Sequence, residues 1–151
     1  MTPLPPELLT RLAEAPAEVE TVEALVTLWL ADNTAERQDD DVPWSAFCVL
    51  ELGSHPDAVW TFVRKSLASA ETVWQVVMLA AGPLEDLIAE HGAAFIDRIE
   101  HEAGHSARFR FALTGVWPQG NRQRAVWARV EAARAEAMAT GIDAGGPLPP
   151  R

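Results

Sequence analysis

A chain of 151 residues, 48% of them apolar, has room for one packed domain and too much hydrophobic material for general disorder. Its formal net charge of −10 excludes nucleic acid and anionic membrane as natural partners, because both select concentrated lysine and arginine. The single cysteine, Cys48, excludes an internal disulfide, and residues 1–16 lack the basic start and long apolar run of a secretory signal, so a cytoplasmic protein is expected.

The predicted elements are helical throughout. Pro5 and Pro6 open a short helix that runs to about Glu14. Over residues 17–32, Val19, Val22, Leu25, Val26 and Trp29 recur at helical spacing, and Asp32-Asn33 ends the pattern. Residues 33–41 form the longest internal polar stretch. Pro43 then opens a helix from Trp44 to Leu52 that is apolar nearly all round, which predicts an element buried in the middle of the fold. Cys48 lies inside it and reads as a buried, reduced thiol.

Gly53 stops that helix, and Ser54-His55-Pro56-Asp57 has the residues of a new helix start. Val59, Trp60, Phe62, Val63 and Leu67 mark its buried stripe. Residues 73–81 are predicted helical, although Thr72 to Val77 also suits a strand. Gly82-Pro83 is read as closing this helix and opening the next, and Gly92 as ending that one in turn. Phe95, Ile96, Ile99 and Ala103 continue until Gly104, and Phe109, Ala112, Leu113 and Val116 form a further stripe. Asn121 caps a last helix with Val126, Val130, Ala133 and Ala137 inside.

The expected fold is therefore all-α, one domain over 1–140, with eight or nine short helices packed as antiparallel hairpins and a disordered tail over 141–151. Trp29, Trp44, Trp60 and Trp74 lie at intervals of 15, 16 and 14, which points to a HEAT-like stack.

Charge is distributed unevenly. Residues 1–60 hold twelve acids against Arg11 and Arg37, whereas residues 61–151 hold ten of each sign. The excess acid belongs to the first part of the chain, and its electrostatic complement is a basic protein. Glu36, Asp39, Asp40 and Asp41 sit in the polar loop and are the expected contact residues. Arg108, Arg110, Arg122 and Arg124 make the one basic cluster, which could receive an acidic patch or a phosphate, although pairing with the acidic first part is the plainer explanation.

One pentapeptide has the pattern of a zinc site. In His101-Glu102-Ala103-Gly104-His105, two imidazoles one helical turn apart would be the ligands and Glu102 the general base. Three features weigh against it. Gly104 falls where the apolar pattern stops, and a third ligand has to come from Glu131, Glu136 or Asp143. No sheet edge is predicted to hold a substrate. On a helical wheel both histidines point away from Phe95, Ile96 and Ile99.

From about Trp44 onward the chain resembles a family of small bacterial proteins catalogued as a domain of unknown function. Residues 80–88, Ala-Ala-Gly-Pro-Leu-Glu-Asp-Leu-Ile, carry the resemblance together with His91-Gly92 and residues 95–100, Phe-Ile-Asp-Arg-Ile-Glu. Phe109-Arg110, Leu113, Gly115-Val116-Trp117 and residues 126–130 extend it. The resemblance implies no reaction, cofactor or catalytic residue. Glu85, Asp86, His91 and Arg110 are the polar positions within it, and structural roles are expected for them.

The functional expectation is a non-enzymatic protein-binding module of the inhibitor or immunity type, without cofactor, whose acidic segment meets a basic protein partner. The alternatives are a zinc hydrolase built on His101, Glu102 and His105, and a homodimer joined through exposed tryptophans.

Overall fold

The computed structural model describes residues 1–16, 18–38, 40–118, 124–134 and 146–151. Among them the fold is all-α, one domain without strands. A 3-10 turn, Pro6–Leu8, leads into the single turn α1 (Leu9–Leu12). Before it the chain is extended: the Leu4 N–H donates to the Glu20 carbonyl at 2.9 Å and the Val22 N–H to the Thr2 carbonyl at 2.8 Å. This pairing holds Val19 buried in extended chain and delays α2 to Val22–Asp32, later than the apolar spacing suggests. Thr21 caps α2, its hydroxyl accepting from the Ala24 N–H at 3.2 Å.

Helix α3 (Trp44–Leu52) occupies the predicted span and ends at Gly53. Helix α4 (Pro56–Ser69) starts with proline at its first position, as expected. Ser54 does not cap it, however, but turns back to donate to the Glu51 carbonyl at 3.2 Å. Helix α4 is the axis of the molecule. It packs against α2, α3, α5 (Val73–Leu79), a π-helical turn (Ala80–Leu84) and α6 (Glu85–His105). Edge-on contacts of Trp29 with Phe62 and of Trp60 with Phe109, both 5.8 Å between ring centres, fill the space around it.

Two expected helix breaks do not occur. Gly82-Pro83 neither closes one helix nor opens another, because α5, the π turn and α6 form one continuous helix of 33 residues. A proline inside an α-helix lacks an N–H and drives its ring into the carbonyl four residues back. The wider π turn removes that collision, so the chain passes through without stopping. Gly92 is likewise internal and buried; the disturbance falls on His91, whose φ of −132° and ψ of 16° kink α6. The expectation of eight or nine short helices is corrected to seven helices among the described residues, and no HEAT repeat is present. The tryptophan spacing misleads because repeat units touch only their neighbours, whereas α4 touches elements from α2 to α6.

Ser106 caps α7 (Ala107–Leu113), and α8 (Arg124–Ala133) lies against α6 and α7. Asn121, the expected cap of α8, and Ala137 lie outside the described residues. So do residues 141–145 of the expected disordered tail. Residues 146–151 are instead tied to the body: Pro150 and Pro149 carbonyls accept from the Arg108 backbone N–H at 2.9 Å and its Nε at 3.0 Å, and Leu148 packs against the core.

Buried Gln75 joins two elements. Its side-chain oxygen accepts from the Thr72 N–H at 3.0 Å in a capping box, while Nε2 donates to the Leu30 carbonyl at the end of α2, 2.8 Å away. Gln75→Leu is expected to cost about 3 kcal/mol, since it orphans buried groups on both sides. Gln75→Glu is expected to cost at least as much, because a carboxylate then faces the Leu30 carbonyl; urea unfolding of both variants checks this.

The Glu23 carboxylate accepts from the Thr2 N–H at 2.9 Å and lies 3.2 Å from Lys65. The Thr2 hydrogen bond is the main reason its pKa falls from 4.5 to about 2, with Lys65 adding to the effect. A depressed carboxylate stabilises the fold above its unfolded pKa and loses that contribution as pH drops through the folded value. Stability is therefore expected to decline between about pH 4.5 and pH 2, and Glu23→Gln to flatten that part of a pH series of urea midpoints.

Candidate protein-binding site

Helix α3 does not do what its composition suggests. Cys48, Val49 and Leu52 are buried as predicted, yet Phe47 is 41% and Leu50 69% exposed. These two stand three residues apart, on one outward face, and Val42 is exposed just ahead of the helix. The reason is geometric: α3 lies over α2 and α4 at the edge of the domain, so only one side of a nine-residue apolar helix is covered. The opposite end of the ridge is anchored, since Trp44 Nε1 donates to the Arg11 carbonyl at 2.8 Å and the Ser45 hydroxyl to Asp32 at 2.6 Å.

Beside Leu50 a pocket of about 350 Å³ opens. Trp29 and Val59 stand at its back, and α3 contributes Val49 and Leu50. The far wall is the π turn and the start of α6, with Gly82, Pro83, Asp86 and Glu90. The π turn thus shapes the pocket: it widens the helix where Gly82, which has no side chain, leaves space. A Cβ built on Gly82 meets nothing within 4 Å. Arg37 and Asn33 close the side nearest the polar loop, so that loop reaches the pocket. A concave, mainly apolar site with a few charged groups at its edge is the usual form of a binding pocket.

The acidic loop lies next to this face. Glu36, Asp40 and Asp41 are exposed and make no ion pair among the described residues; Asp39 lies outside them. Several other acids of the first sixty residues are engaged by cations, although exposed Glu18 and Glu20 make no ion pair among the described residues. Arg11 holds Glu51 at 2.6 Å and sits over the Phe47 ring, Lys65 holds Glu23, and Arg98 holds Asp57 at 2.8 Å. The exposed acids left without an ion pair among the described residues of this segment are Glu36, Asp40 and Asp41 in the loop before α3, and Glu18 and Glu20 before α2.

The basic cluster read from the sequence does not assemble. Arg108 turns inward and donates to the Leu67 and Ala70 carbonyls, Arg110 donates to the Ala103 carbonyl at 2.5 Å, Arg124 is exposed, and Arg122 lies outside the described residues. The arginines satisfy orphan carbonyls near helix ends rather than pairing with the acidic segment.

His101 and His105 are both exposed on the last turn of α6, their rings 4.4 Å apart. His105 is still helical. One of its ring nitrogens, Nδ1, is 2.7 Å from the His101 carbonyl. Glu102, the would-be base, is bound to Arg64 at 3.0 Å. Of the candidate third ligands, Glu131 accepts from Trp127 Nε1, and Glu136 and Asp143 lie outside the described residues. No group of three or more His, Cys, Asp or Glu among the described residues is placed to hold a metal ion.

Among the other polar positions of the resemblance, Glu85 accepts from the Trp117 N–H at 2.6 Å and His91 marks the kink in α6. Trp117 itself is 71% exposed, the most exposed of the six tryptophans. A family model described as a family of unknown function, DUF6869, matches residues 32–138. The chain belongs to that family. The match takes in α3, the π turn and all of α6, and therefore most of the pocket wall. No curated protein and no solved structure matches the chain. No helix among the described residues is long and apolar enough to cross a membrane.

Sequence reasoning missed Phe47, Leu50 and Glu90 as site residues. An apolar helix of only nine residues between two polar connections was the available signal, because so short an element at a domain edge is covered on one side only. Cys48, by contrast, is buried as expected, and burial pushes its thiol up to about 11. It is expected to react with a thiol reagent at pH 8 only on unfolding, which a comparison of native and urea-unfolded rates checks.

Proposed function

We propose that the protein acts by binding a basic protein partner on the face formed by α3, the acidic loop and the pocket. Leu50 and Phe47 are the apolar centre, and Glu36, Asp40, Asp41 and Glu90 form the charged rim. The supporting observation is the outward Leu50 beside an apolar pocket in the part of the chain that holds the net negative charge. An apolar anchor from the partner would fill the pocket and set residence time, while acids around it would speed encounter with lysine and arginine. A covering role of the inhibitor or immunity type fits this arrangement, since it needs a surface and no reactive centre.

A photo-crosslinking residue at position 50, with one at Ala128 as control, tests the reading in a lysate of the native host. One basic protein is expected to attach from position 50 and not from 128, and to be lost at about 0.5 M salt as charge attraction is screened. Against that partner, Leu50→Asp and the pocket-filling Gly82→Met are each expected to weaken binding about tenfold or more. Asp40→Asn with Asp41→Asn should mainly slow association. Equal labelling from both positions, or capture indifferent to Gly82→Met, overturns the proposal.

A further inference from the structure

A second concave site lies on the other end of the 33-residue helix. It encloses about 160 Å³ and is lined by Arg64, Glu102, His105, Ser106, Arg108 and Arg151, with apolar side chains between them. Three arginines against one glutamate leave an excess of two positive charges here, in a protein whose net charge is −10. The one acid is already committed, as Glu102 holds Arg64 at 3.0 Å.

Arg108 is the unusual member. It is only 9% exposed, and no side-chain carboxylate among the described residues meets it. Its Nε donates to the Pro149 carbonyl at 3.0 Å, and Nη1 donates to the Leu67 and Ala70 carbonyls at 2.9 and 3.1 Å. These carbonyls terminate α4, where a cation is favoured by the helix dipole. Nη2 makes no hydrogen bond to the described residues, and the side chain borders the pocket. Burial lowers the Arg108 pKa, and the neighbouring Arg151 lowers it further. Carbonyl dipoles offset part of the cost of burying a cation, but neither Arg108 nor Arg151 has a side-chain carboxylate partner among the described residues.

We propose that Arg64, Arg108 and Arg151, with His105 and Ser106 at the edge, bind a small oxyanion of the phosphate type. Arginine suits this ligand because its N–H groups match the oxygens of a tetrahedral anion, and Arg108, with Nε and Nη1 already donating to carbonyls, would contribute Nη2. The volume fits inorganic phosphate or the phosphoryl end of a monoester and is too small for a whole nucleotide. The site is separate from the α3 face, so it would operate whether or not that face binds a protein. Occupancy would also clamp residues 146–151, since Arg151 lines the site and the Pro149 and Pro150 carbonyls accept from Arg108.

The test is calorimetric titration and thermal unfolding of the full chain, with sodium phosphate or phosphoserine compared against sodium chloride at equal ionic strength. Phosphate at about ten times its dissociation constant is expected to raise Tm by about 4 °C over chloride. Arg64→Gln and Arg151→Gln, both at exposed positions, are each expected to weaken binding about tenfold, while Arg124→Gln leaves it unchanged. Binding of phosphoserine without inorganic phosphate supports the same site and assigns it to a phosphomonoester. Equal responses to phosphate, phosphoserine and chloride overturn the proposal, as does a phosphate response that survives both arginine variants.

Discussion

The structure depends on how one proline is accommodated. Pro83 cannot donate a backbone hydrogen bond, and in a regular α-helix its ring would strike the carbonyl of Leu79. Winding Ala80–Leu84 as a π turn solves this locally and lets α5 and α6 continue as one helix. The consequence is long-range. A single element, kinked at His91, now reaches from the capping box at Thr72 to the adjacent histidines at 101 and 105, and it borders two different concave sites, one beside the π turn and one at its C-terminal end. π turns recur at functional positions in other helices for the same reason: they push backbone outward and redirect side chains. Here Gly82 and Pro83 of the turn, with Asp86 just after it, line the larger pocket.

Charge is organised by a division of labour among few cations. Arg11, Lys65 and Arg98 are spent on acids of the first sixty residues, and Arg129 bridges Asp97 and Glu100. That last pairing depresses the Glu100 carboxyl and raises the guanidinium, as expected when hydrogen bonds favour both charged forms. Most of these pairs are solvent-exposed and contribute little to stability individually. Their effect is on where unbalanced charge remains: negative before α2 at Glu18 and Glu20 and in the loop before α3, positive around Arg64, Arg108 and Arg151.

How much of this was legible in the sequence follows from which forces are local. The all-α class, the span of α3, the proline start of α4 and the burial of Cys48 all come from short-range periodicity and turn chemistry. The late start of α2 was not legible, because it depends on residues 2–4 pairing with 20–22 across the intervening turn. Glycine and proline misled for a related reason. At Gly82-Pro83 and Gly92 the surrounding packing supplied what the local sequence withheld, so punctuation was overridden. The acids of the candidate face were visible as composition, yet Leu50 was assigned to the core, since composition alone does not say which side of a helix lacks a neighbour. Arg108 shows the reverse error: it counted as surface charge and turned out to be buried.

The outward ridge of α3 has a colloidal consequence. A bare leucine and phenylalanine side by side invite copies of the chain to stick together, and at neutral pH the mutual repulsion of molecules carrying −10 opposes it. That protection is titratable. Near the isoelectric point of about 4.7 the repulsion vanishes while the greasy stripe remains, so the acidity that would weaken the proposed hold on a basic partner also favours self-association.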